Sequence, residues 1–127
     1  LFFLDFDHNS PNAEHLKAHH ESFFLNIREK NPDLPVIMAT KTDIPRSPAA
    51  EKSNAAPRAA VYQTYENAVK RGDRNVIFID GATVFSKALT LSAPADSCTV
   101  DGCHPNDLGF ACMAKVFGDA IEKMLGL

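Results

Sequence analysis

Apolar and polar positions fall into distinct blocks along the chain. Three short runs, Leu1–Phe6, Pro35–Thr40 and Asn75–Ile79, are rich in Phe, Ile and Val and too short for helices. Each predicts a buried strand. Three longer stretches follow them with helical spacing. In the first, Leu16, His20, Phe23, Phe24 and Ile27 share one face behind Asn12, a residue suited to cap a helix N-terminus. Pro32 disfavours helical geometry at Asn31 and ends the stretch there. The second runs from about Ala55 to Lys70, with Val61, Tyr65 and Val69 on one face and Gly72 as its stop. The third runs from about Asp107 to Leu125, with Phe110, Met113, Phe117, Ile121 and Met124 as its stripe behind an Asn106 cap.

The order strand, helix, strand, helix, strand, loop, helix predicts an α/β fold: a parallel sheet joined by right-handed crossovers, with helices on both faces. Three strands are few for a sheet that must be covered on both sides, and the first would be an apolar edge. The chain also opens without Met, directly in the run Leu1-Phe2-Phe3-Leu4. Both features lead us to expect further strands before Leu1. The stretch Lys41–Ala56, with Pro45 and Pro48, reads as a long loop at the carboxyl end of the second strand, where such sheets bind ligands.

Composition narrows the function classes. A length of 127 residues allows at most one domain, and 13 Lys and Arg against 16 Asp and Glu leave a net charge of −3. No basic excess exists to neutralise nucleic acid or anionic lipid. No apolar run approaches the roughly 20 residues that span a bilayer, and no signal-peptide pattern is present. The compartment stays open. Three cysteines are too few for a disulfide scaffold; Cys112 reads as a core residue, while Cys98 and Cys103 are close enough in sequence to bridge.

The polar residues at the predicted strand ends are Asp7, His8 and Asn9, then Lys41 and Asp43, then Asp80, with Asp101 and His104 in the last loop. The most informative stretch is Asp101-Gly102-Cys103-His104-Pro105. An Asp three residues before a His in a tight turn can accept the Nδ1 proton and aim Nε2 into a cleft as general base.

Together with Asn106-Asp107-Leu108-Gly109-Phe110, this stretch resembles the C-terminal block of the SGNH (GDSL-type) hydrolases, whose Asp-x-x-His-Pro carries the acid and base of a Ser-His-Asp triad. Asp5-Phe6-Asp7-His8-Asn9-Ser10-Pro11 resembles the block holding that family's oxyanion-hole Asn, which maps to Asn9. The commoner pattern there is Gly-x-Asn-Asp, and neither the Gly nor the second Asp is present.

The resemblance spans essentially the whole chain. It implies a flavodoxin-like three-layer α/β/α SGNH hydrolase fold, incomplete at the N-terminus, with residues 1–127 as the C-terminal part of one domain. It also implies a serine esterase acting on small-molecule acyl esters, with His104 as base, Asp101 orienting it and Asn9 as oxyanion donor, and with no cofactor or metal. Short acyl groups on sugars or other small alcohols are the expected substrates. None of Ser10, Ser22, Ser47, Ser53, Ser86, Ser92 or Ser97 sits in a Gly-Asp-Ser or Gly-x-Ser-x-Gly context. The nucleophile is therefore expected in an upstream segment of the same protein, and this chain alone is expected to be inactive.

Two other readings compete. One is a metal-dependent phosphoesterase using Asp7, His8, Asp80 and His104, whose spacing matches no ligand motif; the other is a non-catalytic flavodoxin-like interaction domain. His15 and His19, four apart, lack the Glu placement of His-Glu-x-x-His and read as a solvated helix face, while His20 on the apolar stripe reads as a packed core residue.

Overall fold

A computed structural model describes residues 1–45, 47–89 and 94–127. Three parallel strands, β1 (Phe2–Leu4), β2 (Val36–Ala39) and β3 (Val76–Ile79), form a sheet in the order β1-β2-β3. The register pairs Phe3 with Ile37 and Ile37 with Ile77. Helix α1 (Ala13–Lys30) joins β1 to β2, and α2 (Pro48–Lys70) joins β2 to β3. After β3 come the short α3 (Val84–Ala88) and the long α4 (Asp107–Leu125).

Side chains of a strand alternate between faces, so β2 splits its residues between two cores. Val36 and Met38 pack with Leu16 and Phe24 of α1 and with Val61 and Ala68 of α2. Ile37 and Ala39 pack on the other face with Val84 and Phe85 of α3, and with Cys98 and Cys112. All four β2 residues are buried, which makes this strand the fixed centre of the three-layer α/β/α arrangement. Both crossover helices share one face because the chain advances across the sheet in one direction, β1 to β2 to β3, and crossovers keep one hand.

The caps expected of α1 and α4 are present: Asn12 Oδ1 accepts from His15 N at 2.8 Å, and Asn106 Oδ1 from Gly109 N at 3.0 Å. The beginning of α2 differs from expectation. It starts at Pro48, inside the stretch read as loop, because Ser47 Oγ accepts from Ala50 N at 3.1 Å and Pro48 occupies the first turn, where a missing N–H costs nothing. Arg46, within that stretch, lies outside the described residues. Three stripe residues also differ. Phe23 of α1, Val69 of α2 and Phe110 of α4 are exposed, while Cys112, Thr64 and Ala68 are buried.

Candidate active site

The carboxyl ends of all three strands open on one side of the sheet. After β1 a single 3-10 turn, Asp7–Asn9, carries three of the polar residues. Buried Asp7 accepts from the Lys41 backbone N–H at 2.9 Å, tying the end of β1 to that of β2. Burial raises its carboxyl pKa, an effect only partly offset by the N–H donors of Lys41 and His8. After β2, Lys41 Nζ lies 3.0 Å from Asp43 Oδ2, which also accepts from Asn54 Nδ2 of α2 at 2.6 Å. Burial works to lower the Lys41 ammonium pKa, but Asp43, aided by the Cys103 thiol, outweighs it and the net shift is upward.

Asp80, after β3, caps the following turn by accepting from Ala82 N at 3.1 Å and lies 3.2 Å from Arg58 Nε. Gly81 then passes against the backbone of Thr40 and Lys41 too closely for any side chain, with its N–H on Thr40 Oγ1 at 2.9 Å.

The last loop carries Asp101 and His104, and its own hydrogen bonds close it. Thr99 and Pro105 form an isolated antiparallel bridge, with Val100 N donating to His104 O at 3.0 Å. Gly102 turns the chain with φ +94°, a left-handed conformation that favours glycine. Its carbonyl accepts from Ile44 N at 2.8 Å, docking the loop on the extension of β2.

Within this loop His104 Nδ1 lies 2.6 Å from Asp101 Oδ2. Asp101 Oδ1 accepts from the N–H groups of Cys103 and His104, both at 2.8 Å. Those donors and the imidazole hold the Asp101 carboxyl well below the usual carboxylate range. A carboxylate can only accept, so Nδ1 carries a proton, and in the neutral ring His104 Nε2 presents a lone pair.

His104 lines a cleft of about 220 Å³ together with Asp5, His8, Asn9, Lys41, Thr42, Cys103, Pro105 and Met113. The three residues singled out from sequence, Asn9, Asp101 and His104, thus come from the β1 exit and the last loop to one place. A second cavity of about 140 Å³ shares the walls His8 and Lys41 and adds Asp7, Ser10, Asp43, Asn54 and Arg58. Asn54 and Arg58 were not anticipated, because their stretch read as loop or as the first turns of a helix rather than as a helix body facing the strand ends.

No serine lines the cleft among the described residues, and Ser92 lies outside them. Asp7 and Asp80 are engaged at separate strand ends, and among the described residues no three His, Cys, Asp or Glu side chains gather. Cys98 neighbours Cys112, with sulfurs 3.9 Å apart, rather than Cys103; all three are free, and burial pushes the Cys98 thiol up to about 11. Cys103 Sγ instead lies 3.6 Å from His8 Nε2. No helix among the described residues is long and apolar enough to cross a membrane.

Residues 1–122 match the family model described as GDSL-like Lipase/Acylhydrolase family. Among solved structures, the chain is similar to one described as a GDSL-like lipase from Bacteroides ovatus, at 28% identity and a TM-score of 0.76, covering 98% of this chain and 36% of that one. It shares its fold with the salicylyl-acyltransferase SsfX3 of a tetracycline biosynthetic pathway, at 23% identity and a TM-score of 0.66, covering 91% of this chain and 35% of that one. The chain therefore spans about a third of the length of either structure. No curated protein matches it.

Proposed function

The chain belongs to the GDSL-like lipase/acylhydrolase family, and from that premise we propose that it supplies the acid–base pair and one oxyanion donor of a serine esterase acting on small acyl esters. The observation that carries this reading is the Asp101–His104 pair, with Nδ1 on a carboxylate at 2.6 Å, the other carboxylate oxygen pinned by two backbone N–H groups, and Nε2 free at a cleft.

In the proposed reaction a Ser hydroxyl, from a segment of the same protein upstream of Leu1, attacks the ester carbonyl while His104 Nε2 takes its proton. Asp101 stabilises the imidazolium, and Asn9 Nδ2 donates to the developing oxyanion. His104 then returns the proton to the leaving alcohol. Water, deprotonated by the same Nε2, releases the acyl group as the acid and restores the Ser. Short acyl groups on sugars or other small alcohols are the proposed substrates for this cleft of about 220 Å³, whose walls include the apolar Pro105 and Met113 beside its polar residues. The 127-residue chain alone, holding base and orienting acid without the nucleophile, hydrolyses nothing in this scheme.

The test uses the full-length protein. His104→Ala should abolish hydrolysis of p-nitrophenyl acetate, and a fluorophosphonate should label the parent. Retained hydrolysis in the variant would overturn the assignment of the base. Activity should survive a chelator, whereas loss on chelation would favour the metal-dependent phosphoesterase.

A further inference from the structure

Helix α1 carries His15 and His19 on its exposed face, one turn apart, with rings stacked at a centroid separation of 4.1 Å and an interplanar angle of 22°. From sequence alone such a pair is an ordinary solvated face. The hydrogen bonds around it add a constraint on where the protons sit.

His19 Nδ1 lies 2.7 Å from the His15 carbonyl oxygen. A carbonyl only accepts, so Nδ1 of His19 bears a proton, and in the neutral ring its Nε2 is a lone pair. His15 Nδ1 lies 3.2 Å from Ser10 Oγ, and that hydroxyl already donates its single proton to the Asn12 carbonyl at 3.1 Å. With that proton on the Asn12 carbonyl, Ser10 Oγ accepts from His15 Nδ1, and in the neutral ring Nε2 is also free. Two stacked imidazoles are therefore held in the same tautomer by partners on the Nδ1 side. This is the outer-shell arrangement of metal-bound histidine, whose non-ligating nitrogen donates to a carbonyl or similar acceptor, fixing tautomer and ring orientation.

We propose that His15 and His19 form a chelating site for a divalent transition ion that favours imidazole, of the Cu²⁺, Ni²⁺ or Zn²⁺ kind, through their two Nε2 atoms. Water completes the coordination, because among the described residues no third His, Cys, Asp or Glu joins a cluster there. Imidazole nitrogen suits these borderline cations, and neither Mg²⁺ nor Ca²⁺, which take oxygen ligands, should compete. The site is separate from the ester chemistry, yet Ser10, which holds His15, directly follows Asn9. An ion on the pair would stiffen the turn that presents the proposed oxyanion donor.

The probe is Ni²⁺, titrated calorimetrically into the tag-free full-length protein in a Cys103→Ser background, which removes the thiol beside His8. One Ni²⁺ should bind. His15→Gln and His19→Gln should each weaken it at least tenfold, and Ser10→Ala, which keeps both ligands but frees the tautomer, severalfold. In the parent, the ring-proton resonances of His15 and His19 should broaden first. Ni²⁺ binding that persists unchanged in either Gln variant, broadening that begins at His8 or His104, or no binding at millimolar Ni²⁺ would overturn the proposal.

Discussion

Replacing Asp101 with Asn keeps the shape of the side chain and inverts its chemistry. The native carboxylate accepts at both ends, from two backbone N–H groups at Oδ1 and from His104 Nδ1 at Oδ2. Asn has one acceptor and one donor. With its carbonyl oxygen under the two N–H groups, its NH₂ faces His104 Nδ1. The imidazole must then accept, moving its proton to Nε2, and the base is lost. The flipped amide restores the tautomer but sets an NH₂ against two donors, forfeiting two hydrogen bonds worth roughly 0.5–1.5 kcal/mol each.

That difference, about 1–3 kcal/mol, leaves only about one part in five to one in a hundred of the variant correctly oriented, since each 1.4 kcal/mol is about tenfold. This minority also lacks the negative charge that stabilises imidazolium. Together these effects should lower kcat about a thousand- to ten-thousand-fold, the range seen when an Asn replaces the triad Asp elsewhere. KM should change little, because the carboxylate bonds only to its own loop. The assay is steady-state hydrolysis of p-nitrophenyl acetate by full-length parent and variant, with the urea midpoint as a control for folding. A variant that keeps more than about a tenth of parental kcat would refute the assignment of Asp101 as the residue that orients His104.

Asn9→Ala should lower kcat about 100- to 1,000-fold with little change in unfolding midpoint, as expected for loss of one oxyanion donor, measured on the same ester. His20 is buried against Phe6 with Nδ1 2.8 Å from Thr64 Oγ1, and burial lowers its pKa from 6.5 to about 4. The folded state thus keeps it neutral while the unfolded state takes up a proton, so stability is full above pH 6.5 and falls as pH drops, with about 3 kcal/mol lost by pH 4. Urea unfolding at several pH values should show His20→Gln flattening that decline relative to the parent. Gly81→Ala would drive a Cβ into the carbonyl oxygens of Thr40 and Lys41. Since both are backbone, the urea midpoint should fall by an amount equivalent to about 1–3 kcal/mol.

The strands and the sheet they form were legible because Val36–Ala39 and Val76–Ile79 are continuous apolar runs that a two-sided sheet requires. The contact between Asp101 and His104 was legible because the two are close in sequence, so a local turn determines it. What was not legible has local causes too. Pro48 looked like a loop residue, yet behind Ser47 it begins a helix, and that error hid Asn54 and Arg58. Helix α3 is only five residues long, too short for a helical period to show. Phe110 has the spacing of the α4 stripe but lies in its first turn, beyond the reach of the core. The contact of Cys103 with His8 joins residues at opposite ends of the chain, which no local pattern reports.

The segment from Thr99 to Pro105 meets nearly all of its own geometric needs: the bridge at its base, the carboxylate seated on two of its own N–H groups, and the Thr99 hydroxyl accepting from Gly102 N at 3.0 Å. Asn106 fastens its foot, its N–H on the Cys98 carbonyl and its side chain on the Ser97 carbonyl and the first turn of α4. Such a segment behaves as a portable cassette. Set ahead of another helix with Asn at its cap and an N–H to take the place of Ile44, the same seven residues should arrive with imidazole and carboxylate already aligned, leaving the host only the nucleophile and the cleft to provide.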